Sequence, residues 1–154
     1  MGKAMFYHLT HHPMEDTLAM LLGKARQAGW RVVVRGKSDE RLAWLDEKLW
    51  LGGAGEDFLP HGLSGGPHDA LQPVLLTRGS DLPNGATCLM VIDGAEMTAA
   101  EVDALERVCV LFDGSTPEAL DNARSQWRSL QSAGVLAEYW SEESGKWQKK
   151  SQTG

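Results

Sequence analysis

Residues 30–40 read WRVVVRGKSDE, and this stretch decides how the fold of the whole chain is interpreted. The valines after Arg31 form the continuous apolar run of a strand covered on both faces, which is typical of a parallel sheet. Glycine, lysine and serine follow, as they do in phosphate-binding loops. Such a loop needs an earlier glycine at the position that Arg31 occupies. We therefore predict a turn at Gly36 and a helix capped by Ser38, with no nucleotide site.

The same alternation of strand and helix patterns runs along most of the chain. Strands are predicted at 4–9, 30–35, 73–77, 86–92, 108–112 and 135–140, and helices at about 14–28, 38–50, 98–105 and 117–133. Residues 51–72 are rich in glycine, proline and histidine and indicate a long loop. The pattern predicts an α/β fold in which a mostly parallel sheet is flanked by helices, a Rossmann-like three-layer sandwich.

Length, charge and cysteine content limit the class of protein. A chain of 154 residues fits one domain, which we place at 1–147, followed by a polar, disordered tail at 148–154. A net charge of −6 argues against a broad nucleic-acid surface. Cys88 and Cys109 lie in apolar runs, which indicates buried thiols in a reducing compartment. Neither a secretory signal nor a membrane-spanning stretch is present, so we expect a cytoplasmic protein without membrane contact.

Several stretches resemble parts of enzyme sites, and each also has a structural interpretation. LMVIDG at 89–94 ends in Asp93 as a magnesium-holding strand does, but a strand also ends in Asp-Gly simply to turn. GLSGG at 62–66 fits a nucleophile motif around Ser64 but lacks the strand and helix that should flank it. The histidines that could bind a metal are not spaced as metal ligands usually are. They are His11, His12, His61 and His68. We assign no catalytic residue, metal or cofactor, and keep a small hydrolase using Ser64 or a histidine-held metal as the alternative.

The predicted helix at 117–133 carries the most informative surface. Its apolar stripe consists of Leu120, Ala123, Trp127 and Leu130, and Arg124 and Arg128 lie one turn apart along the edge of that stripe. An aromatic ring beside two guanidinium groups can hold a peptide that combines carboxylates with an apolar side chain. The alternative is an ordinary amphipathic helix with solvated arginines.

Two blocks of sequence are more specific than a turn or helix signal. One is LDEKLW at 45–50, followed by FLPH at 58–61 and Pro73-Val74. The other is the ending, where Ala123-Arg124, Trp127-Arg128 and Ala133-Gly134 lead to Tyr139-Trp140, Gly145 and Trp147. Both blocks resemble the chi subunit family of bacterial DNA polymerase III. The opening aromatic strand with Phe6-Tyr7 also sits where the family has one, so the resemblance runs nearly the full length.

The resemblance implies a noncatalytic accessory subunit of the clamp-loader complex with a Rossmann-like fold. It implies that the protein contacts DNA only indirectly, by binding the acidic C-terminal tail of single-stranded-DNA-binding protein, which ends in phenylalanine. The family's tail-binding positions fall on Arg124, Trp127 and Arg128. Trp50 and Phe58 match family aromatics at the surface that the resemblance implies to meet the psi subunit, where psi is present, or another partner. The alternative is that both side chains only close the core under the long loop.

Overall fold

A computed structural model of the chain describes residues 2–52, 61–142 and 146–152, with the side chains of 50–52 left out. The helices are α1 (Met14–Gln27), α2 (Asp39–Gly52), α3 (Ala99–Ala104) and α4 (Pro117–Ser132), with a 3-10 turn at Asp69–Leu71. The strands are β1 (Lys3–Leu9), β2 (Val32–Arg35), β3 (Gly62–Leu63), β4 (Val74–Thr77), β5 (Cys88–Val91), β6 (Arg107–Asp113), β7 (Ala137–Ser141) and β8 (Gln148–Gln152).

The eight strands form one sheet in the order β3-β4-β2-β5-β6-β1-β7-β8. Neighbouring strands are parallel from β3 to β7, and β8 pairs antiparallel with β7. The prediction of an α/β fold with a mostly parallel sheet is therefore confirmed, with the addition that the sheet is mixed because of β8.

Apolar side chains cover both faces of the sheet, which gives the three layers of the sandwich. One buried cluster joins α1 and α2 to the sheet through residues that include Leu18, Leu22, Leu45, Val34 and Leu111. The other joins α3 and α4 to the opposite face through residues that include Phe6, Val33, Leu89, Val102 and Leu130. None of the described helices has the length and apolar composition needed to cross a bilayer.

The helices that follow β1 and β6 lie on opposite faces of the sheet, although these two strands are neighbours. Such a reversal opens a crevice at the carboxyl ends of the two strands, the usual ligand position in α/β folds. A polar cleft of about 720 Å³ occupies this position. Lys37, Arg41 and Asp93 line it together with the ends of β1 and β6.

The predicted turn and cap after β2 are confirmed. The Gly36 backbone N–H donates to the Thr77 carbonyl at 3.0 Å, so it pairs within the protein instead of facing an anion. Ser38 Oγ accepts from the Arg41 backbone N–H at 3.1 Å, as an N-cap does. The Gly36 amide is therefore not available to an anion as the amides of a phosphate loop are.

Two segments differ from the sequence-based expectation. Gln148–Gln152, which we expected within a disordered tail, pair with β7 as β8. Trp147 explains this placement, because its ring packs edge-on against Tyr7 at 5.3 Å between centroids and brings the following residues alongside the sheet edge. The predicted loop at 51–72 contains the short β3 and the 3-10 turn, while its part from 53 to 60 lies outside the described residues.

Candidate functional site

Helix α4 begins where the sequence indicates but is capped differently. Pro117 occupies its first turn, and Thr116 stands at the N-cap position without a side-chain capping hydrogen bond. The hydroxyls of Ser115 and Thr116 donate instead to the Asp113 carboxylate, at 2.7 and 3.2 Å. The bonds from Ser115 lower the pKa of Asp113. This arrangement fixes the turn between β6 and α4, and with it the direction of the helix.

The apolar stripe of α4 packs on the sheet as predicted. Ala123 and Leu130 are buried, and Trp127 lies between them, half-buried. The Trp127 ring meets Phe6 edge to face at 5.4 Å between centroids, and it meets Tyr139 in the same way at 5.8 Å. Edge-to-face pairs at these distances are favourable. Trp127 is therefore partly a core residue that anchors α4 over β1 and β7.

Tyr139 and His8 extend this aromatic contact beyond the helix. His8 Nδ1 and the Tyr139 hydroxyl lie 2.8 Å apart in a hydrogen bond, and both rings also pack on Phe112. We did not assign His8 or Tyr139 to the site from the sequence. The sequence pattern that could have identified them is the alternation of side chains within β1 and β7, which places Phe6, His8 and Tyr139 on one face of the sheet. This pattern identifies the pair only when β1 and β7 are known to be neighbouring strands.

The polar contacts of α4 determine which side of the helix faces β7. Asn122 Nδ2 donates to the Gly94 carbonyl at 3.4 Å, and Gln126 Nε2 donates to the Ala95 carbonyl at 3.0 Å, so this side faces the end of β5. In a helix with 3.6 residues per turn, Arg124 and Arg128 project from the opposite side. That side faces β7, because β7 lies beyond β1 from β5.

Arg124 and Arg128 are both exposed to solvent. The Arg124 side chain is 65% exposed and lies 3.9 Å from the Asp121 carboxylate, an exposed pair that contributes little. Arg128 forms no ion pair with any described residue. Two exposed guanidinium groups therefore lie along the side of α4 that faces β7. We call this side of the helix, together with Trp127 and with Tyr139 on β7, the α4 rim.

The second predicted surface, around Trp50 and Phe58, falls largely outside the described residues. Trp50 is in the last turn of α2, but its side chain is not described, and Phe58 lies outside the described residues. The sheet edge at β3, which follows this segment in the chain, carries two exposed apolar side chains, Leu63 at 40% and Leu71 at 68% exposure. It ends in β3, a strand of only two residues.

The stretches that resemble enzyme motifs have structural roles in the described regions. Asp93 accepts two hydrogen bonds from the Arg41 guanidinium, at 3.1 and 3.3 Å, so its carboxylate is already paired. Ser64 follows β3 in a turn, where the N–H groups of Gly65 and Gly66 donate to Asp69, and no strand-to-helix elbow is formed. The described residues contain no group of three side chains placed to hold a metal ion.

Comparison with known proteins gives one family and one relative. A model of the family described as "DNA polymerase III chi subunit, HolC" matches residues 1–138. A protein of Rickettsia prowazekii (strain Madrid E) named "Probable DNA polymerase III subunit chi" is 24% identical over 97 residues. That match spans 63% of this chain and 58% of the relative. Because the family model covers most of the sequence, the chain belongs to the chi subunit family of DNA polymerase III, whose members are noncatalytic accessory subunits.

Proposed function

We propose that this protein is an accessory subunit that couples the clamp-loader complex of DNA polymerase III to single-stranded DNA coated by its binding protein. The α4 rim would bind the acidic C-terminal tail of single-stranded-DNA-binding protein, so that contact with DNA is indirect. The observation that carries the proposal is the placement of Arg124 and Arg128, exposed, along the side of α4 that faces Tyr139. The chain would act in the cytoplasm, where replication takes place in bacteria.

Charge and shape at the α4 rim suit a tail that ends in phenylalanine. The guanidinium groups can form charge-assisted hydrogen bonds with the aspartates and the terminal carboxylate, each worth about 1.5–3 kcal/mol before the discount for solvent exposure. The edges of Trp127 and Tyr139 offer an aromatic surface for the terminal ring. These contributions, reduced by the cost of ordering the peptide, correspond to affinity of about micromolar strength.

Trp50 and Phe58, together with the sheet edge at β3, are the proposed contact with the psi subunit, or with another partner where psi is lacking. Its support is the pair of exposed leucines, Leu63 and Leu71, beside a sheet edge that ends in a two-residue strand. Apolar side chains at an open sheet edge are typical of surfaces that a partner covers. The edge and the α4 rim lie at opposite ends of the strand order, so both partners could bind together.

Titration with an acidic peptide that ends in phenylalanine tests the α4 rim. We expect binding of about micromolar affinity, weakened about tenfold or more by Arg128→Ala and less by Arg124→Ala, because each variant removes one charge-assisted contact. Arg78→Ala is the matched control, since it removes an equally charged side chain that pairs with Asp39 outside the α4 rim. Isothermal calorimetry gives the affinities.

A second peptide without the terminal phenylalanine separates recognition of the tail from general attraction between charges. We expect it to bind at least about tenfold more weakly, because the aromatic contact is lost. If both peptides bind equally, or if Arg78→Ala weakens binding as much as Arg128→Ala does, the proposed recognition at the α4 rim is wrong.

A further inference from the structure

A separate hollow of about 400 Å³ lies on the opposite face of the sheet from α4. Its walls come from α1, from Trp30 and from the aromatic residues at the β7–β8 edge, and its floor comes from β1, β5 and β6. We call it the α1 hollow. Its volume falls within the range of sites that take ligands or side chains.

The walls of the α1 hollow are largely apolar and aromatic. Trp30, Trp140 and Trp147 line it, so half of the six tryptophans of the chain meet here. Met20 lies in the α1 wall and is 40% exposed although it is apolar. Clusters of tryptophan and methionine at a surface opening are typical of places where an apolar side chain of a partner is bound.

The charged groups in the walls are cationic. Lys24 lies one helical turn after Met20, and the Arg107 guanidinium lies 5.3 Å from the centre of the Trp30 ring. None of the described residues that line the hollow is acidic. The hollow thus carries a local excess of positive charge in a chain whose net charge is −6.

Arg107 has hydrogen-bonding capacity that its described surroundings do not use. Its Nε–H is buried without a hydrogen-bond partner among the described residues, and such a group is costly to leave unpaired. Glu138, a carboxylate on β7, is already bonded to Lys3 at 3.3 Å and to the Trp140 indole N–H at 3.1 Å. Because the Arg107 guanidinium lines the hollow beside Trp30, a carboxylate supplied by a ligand would be a new charged partner for it.

We propose that the α1 hollow binds an internal peptide segment of a partner protein in which a large apolar side chain is flanked by carboxylates. The apolar side chain enters between Met20 and the tryptophans, and the carboxylates pair with Lys24 and Arg107. This site is independent of the α4 rim, because the sheet separates the two and because an internal segment has no terminal carboxylate.

The tryptophans themselves report which site a peptide occupies. The probe is an acetylated and amidated peptide that has phenylalanine between aspartates, followed through the indole N–H signals in nitrogen-15 spectra. We expect the signals of Trp30, Trp140 and Trp147 to shift during titration while that of Trp127 stays in place. Single replacements of tryptophan by phenylalanine assign the signals.

Variants on the exposed wall test the contacts without disturbing the core. Met20→Glu places a negative charge at the opening and should weaken binding about tenfold, and Lys24→Gln should weaken it about threefold. Lys48→Gln, on α2, is the matched control and should leave the affinity unchanged. A probe with asparagine in place of aspartate should bind several times more weakly.

Three outcomes would overturn the proposal. They are shifts confined to Trp127, equal binding of the aspartate and asparagine probes, and unchanged affinity in Met20→Glu. Each of them can occur whether or not a tail ending in phenylalanine binds the α4 rim, so the two proposals can fail separately.

Discussion

Replacing Glu142 by glutamine tests how strongly one buried carboxylate holds the loop between β1 and α1. Glu142 is 1% exposed. Its Oε1 accepts the backbone N–H groups of Thr10, His11 and His12 at 2.9, 2.9 and 3.0 Å. Its Oε2 lies 2.7 Å from His12 Nδ1. These bonds close the loop that borders the polar cleft at the end of β1.

The size of the effect follows from the pKa of Glu142. Burial acts to raise it, but the hydrogen bonds from the His12 side chain and the three backbone groups outweigh burial and lower it from 4.5 to about 2. A depression of this size corresponds to about 3 kcal/mol of folding free energy. Because the folded pKa is the lower one, this stability is present above pH 4.5 and is lost as the pH falls towards 2.

Urea unfolding followed by fluorescence over a series of pH values measures the effect. We expect Glu142→Gln to lose about 2–3 kcal/mol near neutral pH, and we expect the difference from the original protein to shrink as the solution is acidified from about pH 5 to about pH 2. Glu47→Gln, at an exposed position of α2, should change stability by less than about 0.5 kcal/mol. A difference between Glu142→Gln and the original protein that stays constant across this range would refute the reasoning.

Two further predictions concern the framework. Thr98→Ala removes the capping box of α3, in which Thr98 Oγ1 accepts a hydrogen bond from the Glu101 N–H at 3.2 Å. We expect the free energy of unfolding, measured in urea, to fall by about 1 kcal/mol. An unchanged free energy of unfolding would show that the cap is dispensable. Gly114→Ala would drive a methyl group into the His8 ring and should lower the free energy of unfolding by more than about 2 kcal/mol. At Gly23 in α1 a methyl group meets only open space, so Gly23→Ala should stabilise the protein by about 0.5–1 kcal/mol. Equal effects of the two glycine replacements in the same assay would contradict this steric account.

Local sequence signals predicted the parts of the fold that depend on neighbouring residues. The valines of β2, the turn at Gly36 and the cap at Ser38 all follow from residues within one or two turns of each other. The apolar stripe of α4 likewise follows from its period, with Ala123 and Leu130 buried as expected. These features need no knowledge of the rest of the chain.

Features that depend on strand order could not be predicted in the same way. The position of β1 between β6 and β7 brings His8 and Tyr139 together, and no local pattern specifies that pairing. Strand β8 was missed for a similar reason, because its sequence, QKKSQ, is polar throughout, and the contact of the preceding Trp147 with Tyr7 joins residues 140 positions apart. The guanidinium groups and Trp127 of the α4 rim were found from helical spacing, but Tyr139 comes from a distant strand.

The position of β1 in the sheet has a consequence for biosynthesis. Its partners, Arg107–Asp113 and Ala137–Ser141, leave the ribosome long after Lys3–Leu9 does. Until then, the apolar residues from Ala4 to Tyr7 have no neighbouring strand to pair with, and a nascent chain in that condition is exposed to association with other chains. Completion of the sheet must therefore wait for the final third of translation, and a chaperone that binds extended apolar segments would protect this one in the interval.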